Sequence, residues 1–331
     1  MFNVIMFNLQ LFATTVQTTL LPALAPEVKT FYDKNLIEEA SAALVHDQFG
    51  QKRPIPKNGG KSIEFRKFAS LPKALTPLTE GVTPDGKNLN VTAITAEISQ
   101  YGDYIVMSDV LDLTAIDRVG VETTTILGRQ MGVTLDTVTR NVLQSGTNVT
   151  YCPKVAADGT ETEVTSRTGL DETSQLTVKV VQQVVAKLKG QNAPRINGKY
   201  VAIIHPYVAY ALMRDPEWVH AHTYGGTTNL FTGEIGEIAG VRFVETTEAK
   251  VFAGGVFGTL FMGADAYGVT EIEGGGAEVI VKPKGSAGTA DPLDQRSSIG
   301  WKGMKTAKIL IDNYIVRVES KVADFADTAE N

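Results

Sequence analysis

The residues best suited to chemistry in this chain are a short glycine–lysine–serine run, four histidines, one cysteine and several isolated carboxylates. Gly59, Gly60, Lys61 and Ser62 match the end of a phosphate-binding loop, but that motif needs a glycine where Ile55 stands. We therefore predict a plain turn at these residues. The dinucleotide-binding pattern GxGxxG and the hydrolase pattern GxSxG are both missing from the sequence.

The histidines do not form a metal-binding pattern. His220 and His222 are the only close pair, and no cysteine or acidic cluster accompanies them. His205 precedes Pro206 at a predicted strand-to-helix corner, so we interpret it as a capping or turn residue. We predict no metal site and no cofactor.

The cysteine and the isolated carboxylates also have structural interpretations. Cys152 has no charged neighbour between positions 147 and 153, which favours a buried, inert thiol over a nucleophile. Asp265, Asp291 and Asp294 each stand near glycine or proline, as turn residues do. The sequence therefore predicts no catalytic residue, and we expect a protein that is not an enzyme.

The longest predicted element is a helix from Thr114 to Gly146. Thr114 can cap its start, and Gly146 stands where a left-handed residue would end it. Thr139 is expected on its exposed side. The predicted buried face consists of apolar residues spaced three or four apart: Leu127, Met131, Leu135, Val138 and Val142.

A long hairpin is predicted before that helix. The run KSIEFRKF and the stretch from Val91 to Met107 have strand patterns, and residues 71–90 between them are rich in proline and glycine. A two-stranded hairpin has little core of its own. We therefore expect the hairpin from Ser62 to Val106 to pack on another subunit.

The other predicted elements alternate irregularly between helix and strand. No βαβ rhythm repeats, so the predicted class is α+β. Residues 283–300 are predicted to form a polar connection. The predicted helices cover 35–49, 173–189 and 206–212, and the predicted strands cover 200–204, 241–244, 256–262, 277–281, 307–311 and 314–322.

Charge and composition exclude some classes of function. The chain of 331 residues has a net charge of −6 and no basic cluster, which disfavours tight nucleic-acid binding. A single cysteine fits a reducing cytosol. The N-terminal stretch is apolar, but it has no basic start and is interrupted by polar residues. We therefore expect an extended arm with no signal peptide and no membrane span.

Several runs in a fixed order make the sequence specific. The runs are FGQKRPIPKNGGKSIEFRKF, PLTEGVTPDG, ISQYGDYIVMSD, YVAIIHP, RDPEW, GEIGEIAGVRFVET, FMGADAYGV, DPLDQR and GWKGMKTAKIL. Together they resemble the major capsid proteins of the N4-like phage family, within the capsid proteins of tailed double-stranded DNA bacteriophages. The N-terminal phrase FNLQLFA is also similar to starts seen in phage structural proteins, which leaves Met1 and Met6 open as the natural start.

The resemblance implies the fold shared by tailed-phage and herpesvirus major capsid proteins. It assigns residues 1–56 to an N-terminal arm and helix, 57–106 to the extended-loop hairpin, 107–172 to the peripheral domain with its spine helix, 173–299 to the axial domain, and 300–331 to strands that return to the peripheral domain.

The resemblance also implies a function carried out by interfaces. Copies would assemble as pentamers and hexamers into an icosahedral virion shell in the bacterial host cytoplasm, with scaffolding and portal proteins. The shell would enclose double-stranded DNA without sequence-specific contacts. The candidate intersubunit contacts are Arg66, Pro77, Leu78, Glu80, Val82, Pro84 and Asp85.

Three alternatives remain open at this point. An encapsulin-like bacterial compartment would use the same fold around a cargo enzyme. A tail, decoration or adhesion protein would not be expected to combine the long hairpin with a spine helix. An enzyme would need the catalytic constellations that the sequence lacks.

Overall fold

In the computed structural model, the described residues fall into two units. The first unit comprises described residues of 102–129 and 277–302, and the second those of 44–101, 130–270 and 303–331. The predicted N-terminal arm and the predicted helix up to residue 43 lie outside the described residues. The described ranges are 44–56, 60–68, 71–78, 80–83, 85–114, 119–156, 158–219, 236–270 and 277–331.

The described elements mix helices with short and long strands. The helices are α1 (Asp109–Thr114), α2 (Val119–Gln144), α3 (Val178–Gly190) and α4 (Pro206–Met213). The strands are β1 (Gln51–Lys52), β2 (Ser62–Phe68), β3 (Val91–Glu97), β4 (Ser99–Ser108), β5 (Val149–Tyr151), β6 (Lys154–Val155), β7 (Glu161–Thr162), β8 (Tyr200–Ile204), β9 (Glu237–Ile238), β10 (Val241–Glu245), β11 (Val251–Phe252), β12 (Val256–Met262), β13 (Tyr267–Thr270), β14 (Glu278–Lys282), β15 (Arg296–Ile309) and β16 (Ile315–Lys321).

A seven-stranded sheet forms the centre of the second unit. Its strand order is β5-β16-β12-β8-β10-β9, and β11 pairs with β12 at the side. All five residues of β8 are buried between parallel β10 and antiparallel β12. The continuous apolar run 200–204 is therefore the central strand that the sequence predicts.

The two faces of this sheet carry two separate apolar clusters. Successive strand residues point to opposite faces. Val316 and Val318 of β16 accordingly join a cluster that contains residues of α3 and α4. Ile315 joins the other cluster, which contains Leu143 of α2. Val316 and Val318 therefore lie on the face opposite α2, whereas Ile309 of β15 packs against the cluster that contains Leu143.

The start of the long helix differs from its prediction. Thr114 is the last residue of α1, and its hydroxyl donates 2.6 Å to the carbonyl of Val110. Ser108 caps α1, since its hydroxyl accepts the backbone N–H of Leu111 at 3.2 Å. The described part of the long helix is α2, Val119–Gln144, and residues 115–118 lie outside the described residues.

The end of α2 is also made differently. Gly146 does not take a positive φ, so the predicted left-handed stop is wrong. A Cβ at Gly146 would lie 2.7 Å from Oδ1 of Asp312, a carboxylate that also accepts the backbone N–H of Thr147 at 3.1 Å. A glycine at position 146 allows the backbone to approach this carboxylate closely. The carboxylate then accepts the N–H of Thr147, just past the end of the helix.

The buried face of α2 follows the predicted stripe only in its first half. Leu127, Met131 and Leu135 are buried as predicted, whereas Val138 and Val142 are only partly buried and the fully buried residue is Leu143. Thr139 is also fully buried, so its predicted exposure is wrong. Its hydroxyl reaches a buried carboxylate, and this bond lets a polar residue occupy the core side of the helix.

Helix α3 shows a second difference in how helices end. The side chain of Thr177 accepts the N–H of Val180, which sets the start of α3 five residues later than predicted. Gly190 is still helical, and Asn192 takes the left-handed conformation at φ 55°. Asparagine tolerates this conformation because its short polar side chain can bond locally.

Strand β15 is longer than predicted and is paired along its length. In the first unit it pairs with β14, and in the second its last residues pair with β13. Residues 296–300 therefore lie in a strand and not in a polar connection. In the first unit, a Cβ at Gly300 would lie 2.6 Å from Cβ of Tyr104, so glycine permits the close approach of β4.

Candidate assembly surfaces

The extended loop is built on a regular two-stranded ladder. Strands β2 and β3 pair antiparallel from Ser62 with Glu97 to Phe68 with Val91, as the sequence predicts. At its root the N–H of Ile98 donates 2.9 Å to the carbonyl of Lys61. The second predicted arm is divided at this point, because β4 leaves the ladder and pairs with β15.

One aromatic side chain attaches the ladder to the core of the second unit. Phe65 is only 3% exposed. A Cβ at Gly268 of β13 would lie 2.7 Å from its ring, so the ring rests directly on the β13 backbone. The guanidinium of Arg53 lies 5.9 Å from the ring centroid on a neighbouring segment. The loop therefore has a fixed root.

The tip of the extended loop is uncovered in the isolated subunit. Every described residue between 71 and 90 is exposed. Leu75 is 82% exposed, Leu78 76% and Val82 62%, although each is an apolar side chain that favours burial. An apolar surface of this kind is typical of a contact with another molecule.

The predicted intersubunit contacts lie on this loop. Arg66 is on β2, where its Nε lies 3.3 Å from Oε1 of the exposed Glu64. Such a surface pair contributes little to stability and leaves the arginine available to solvent. Five of the others are exposed tip residues, and Pro84 lies outside the described residues. Those five are Pro77, Leu78, Glu80, Val82 and Asp85.

A second exposed apolar surface lies in the first unit. Tyr104 and Val106 of β4 are 68% and 50% exposed. Val110 and Leu113 of α1 are also exposed, as is Ile126 of α2. The sequence does not reveal this surface, because an apolar strand pattern predicts burial without indicating which molecule covers it.

The segment that leads into the extended loop, which we call the strap (residues 44–55), is held by buried polar groups. Oδ1 of Asp136 accepts the N–H groups of Val45 and His46 at 2.9 and 2.7 Å. Oδ2 of Asp136 lies 2.6 Å from Nδ1 of His46, and both side chains are completely buried. The Tyr267 hydroxyl donates to the carbonyl of His46.

The next residue of the strap makes a buried ion pair. Asp47 contacts Nζ of Lys305 in β15, and its Oδ1 accepts the hydroxyl of Thr139 at 2.7 Å. We call His46, Asp47, Asp136, Thr139 and Lys305 the polar clamp. Residues 46–49 form a turn and not the predicted end of a helix. The backbone N–H of His46, at the start of this turn, donates to Asp136 and not to a helix carbonyl.

The isolated groups considered for chemistry have structural roles. His205 caps α4, since its Nδ1 accepts the N–H of Tyr207 at 3.2 Å, as predicted. Burial lowers the pKa of His205 from its ordinary value. Cys152 is a fully buried free thiol, as predicted, and burial raises its pKa.

The predicted turn positions behave similarly. Gly60 has a φ of 93°, consistent with a turn, while Gly59 lies outside the described residues. Asp265 and Asp294 take positive φ values of 55° and 53°. Asp291 is buried, and its Oδ2 accepts the N–H of Arg296 at 2.8 Å.

His220 and His222 lie outside the described residues. Among the described residues, no group of three or more histidine, cysteine or acidic residues could hold a metal ion. No helix of these ranges combines the length and apolarity needed to cross a membrane.

The described residues thus present two exposed apolar surfaces, one on the extended loop and one in the first unit. Its sequence matches the model of the family described as "Phage capsid protein" over residues 91–316, which is more than half of the chain. The chain belongs to this phage capsid protein family. The family indicates a structural role as a component of the virion shell.

Solved structures share its fold at low sequence identity. The capsid of cyanophage P-SCSP1u has a TM-score of 0.65 at 12% identity, over 84% of this chain and 88% of that one. The capsid of Ralstonia phage GP4 has a TM-score of 0.62 at 15% identity, over 84% and 88%.

A virus-like particle from Pyrococcus furiosus is also similar, with a TM-score of 0.51 at 11% identity over 88% and 99% of the two chains. No curated protein matches the sequence significantly. The predicted α+β capsid fold is confirmed.

Proposed function

We propose that this chain is the major capsid protein of a tailed phage of the N4-like group, and that copies of it form an icosahedral shell around double-stranded DNA. Family membership supports a capsid role, and the nine sequence runs support the N4-like assignment. The observation that carries the assembly is the exposed leucine-bearing tip of a loop with a firmly held root.

In this proposal the extended loop contacts a neighbouring subunit. The tip carries Leu75, Leu78 and Val82 without cover in its own subunit. Burying such side chains contributes about 1.5–3 kcal/mol each. Repeated at every interface of a pentamer or hexamer, that contribution would favour assembly. Arg66, Glu80 and Asp85 would add polar contacts, and the arm from Met1 to Tyr32 would reach along another subunit.

The charge of the chain fits a DNA container. A net charge of −6 gives no tight electrostatic grip on phosphates, which a motor that packs DNA would otherwise have to overcome. We further propose that scaffolding and portal proteins take part, that assembly occurs in the host cytoplasm, and that no membrane is involved. The domain division given by the resemblance belongs to the same proposal.

An encapsulin-like compartment is the second candidate, because the Pyrococcus furiosus virus-like particle has a similar fold. The contents of purified particles distinguish a phage capsid from such a compartment. Particles isolated from phage-infected cells should contain nuclease-protected DNA together with a portal protein. Particles that contain one cargo enzyme and no DNA would contradict the phage proposal.

A further inference from the structure

We propose that the polar clamp is a positional determinant of the extended loop and contributes little to the net stability of the subunit. It would select one position of the strap, and so the position from which the loop leaves the core. The part of this proposal that concerns shells rests on the proposed function. The part that concerns the strap does not.

The strap is held mainly through directional bonds. Asp136 accepts the N–H groups of Val45 and His46. The hydroxyl of Tyr267 donates to the carbonyl of His46. A Cβ at Gly50 would lie 2.5 Å from the Tyr267 ring, so the strap backbone touches that ring directly. A shift of the strap by one residue would leave buried N–H and C=O groups unpaired, which is costly.

The charged part of the clamp contributes to position more than to stability. Asp47 and Lys305 are 12% and 7% exposed, so both charges are largely removed from water. Desolvation offsets much of the attraction in such a pair. What remains is geometric selectivity, because the carboxylate must meet both Nζ of Lys305 and the Thr139 hydroxyl.

The position of the strap is transmitted to the loop through β13. Gln51 of the strap pairs with Gly268, the residue on which the Phe65 ring rests. The N–H of Arg53 donates 3.1 Å to the carbonyl of Val269, and the Arg53 guanidinium lies over the same ring. A displaced strap would therefore disturb the seat of Phe65 at the loop root.

The test replaces the charged half of the clamp by apolar groups in the full-length chain. The triple variant Asp47→Leu, Thr139→Val, Lys305→Met removes the ion pair and its hydroxyl partner but keeps Asp136. We expect an unchanged or higher Tm, together with at least about tenfold faster hydrogen exchange at the amides of residues 45–53. Exchange in β8 and β12 should not change.

A matched control lowers stability without touching the strap. Leu188→Ala removes a fully buried side chain from α3. It should lower Tm and leave the relative protection of the strap as in the wild type. Thr139→Val alone changes the volume little but leaves Oδ1 of the buried Asp47 without its hydroxyl donor, so it should loosen the strap and also lower Tm, as removal of a single partner does.

The second measurement is the particle diameter by electron microscopy. We expect the wild type and Leu188→Ala to form shells of one diameter, and the triple variant to form mixed diameters, tubes or incomplete shells. Normal strap protection in both clamp variants would overturn the proposal, as would unfolding of the triple variant or uniform shells from it. A wild type that forms no shells would refute the proposed function, while hydrogen exchange would still decide the role of the strap.

Discussion

Asp136 and His46 are ninety residues apart in sequence, yet Oδ2 of one lies 2.6 Å from Nδ1 of the other in a completely buried contact. The same carboxylate accepts two backbone N–H groups of the strap. One side chain of α2 thus holds the segment that leads into the extended loop. A buried group with this many partners gives a clear first prediction.

Asp136→Ala should lower the free energy of unfolding by about 3 kcal/mol or more, because it leaves the buried imidazole and two N–H groups without their partner. Denaturation of the soluble subunit in urea measures this loss. Asp85→Ala, an exposed change on the loop tip, should stay within about 0.5 kcal/mol of the wild type. Equal stability of both variants would contradict the buried role of Asp136.

A large loss of stability in Asp136→Ala would be compatible with a polar clamp that adds little net stability. Asp136→Ala leaves its partners buried and unpaired, whereas the triple variant removes an ion pair together with its hydroxyl partner. The first variant measures the cost of unpaired buried groups, and the second measures the net contribution of the charged pair.

Leu143→Asp should prevent stable folding. Leu143 is fully buried in the cluster that includes Val201, Ile203 and Leu260. An unpaired carboxylate there either costs several kcal/mol or takes up a proton, and a domain has only about 5–15 kcal/mol of stability. Soluble yield and thermal melting give the readout.

The control for that change adds the same charge to the same helix. Asn141 is exposed on α2, and Asn141→Asp should be tolerated within about 0.5 kcal/mol. If Leu143→Asp were as soluble and as stable as Asn141→Asp, the assignment of the buried face of α2 would be wrong.

His205 should make the subunit less stable in mild acid. Burial lowers its pKa in the folded state, so the unfolded state binds the proton more readily. Its contribution to stability is therefore present above the unfolded pKa of about 6.5 and is lost as the pH falls from there through the folded pKa. Protonation would also remove the Nδ1 acceptor that caps α4.

The variant His205→Asn keeps a good capping residue and removes the titration. Between about pH 7.5 and 5.5 the wild type should lose more stability than this variant does. Urea midpoints of the two proteins are measured across that range. The contributions of the other titrating groups cancel when the two pH profiles are subtracted. Parallel pH profiles would show that His205 does not contribute.

The double change Leu75→Glu, Leu78→Glu should prevent assembly and spare the fold. Both side chains are exposed, so the Tm of the subunit should not change. Loss of two apolar contacts at about 1.5–3 kcal/mol each would weaken every interface more than tenfold. Sedimentation velocity would show subunits in place of shells.

Thr76→Glu is the matched control, because it adds a charge to the same exposed tip without removing an apolar group. It should retain most of the shell yield. Normal shells from the double variant would mean that the leucines of the tip are not at an interface.

Local sequence patterns predict the parts of this fold that local physics determines. The run Tyr200–Ile204 is apolar at every position because both faces of β8 are covered. Pro206 begins α4 at the position where its missing N–H costs nothing. The ladder of β2 and β3 follows the strand patterns on either side of the proline-rich tip.

Long-range contacts explain what the sequence does not predict. Nothing near Thr139 indicates that Asp47, 92 positions away, will accept its hydroxyl and allow it to be buried. The predicted apolar stripe also continues through Val142 and leaves out Leu143, because the buried position between Leu135 and Leu143 is occupied by the polar Thr139. The exposed tip residues could be named from sequence, since proline and glycine exclude a core there.

The most direct test of the central claim is cryo-electron microscopy of the full-length protein purified after expression in bacteria. We predict closed icosahedral shells built from pentamers and hexamers, with density for residues 71–90 lying on a neighbouring subunit. Isolated monomers, open tubes, or shells in which those residues contact only their own subunit would contradict the account.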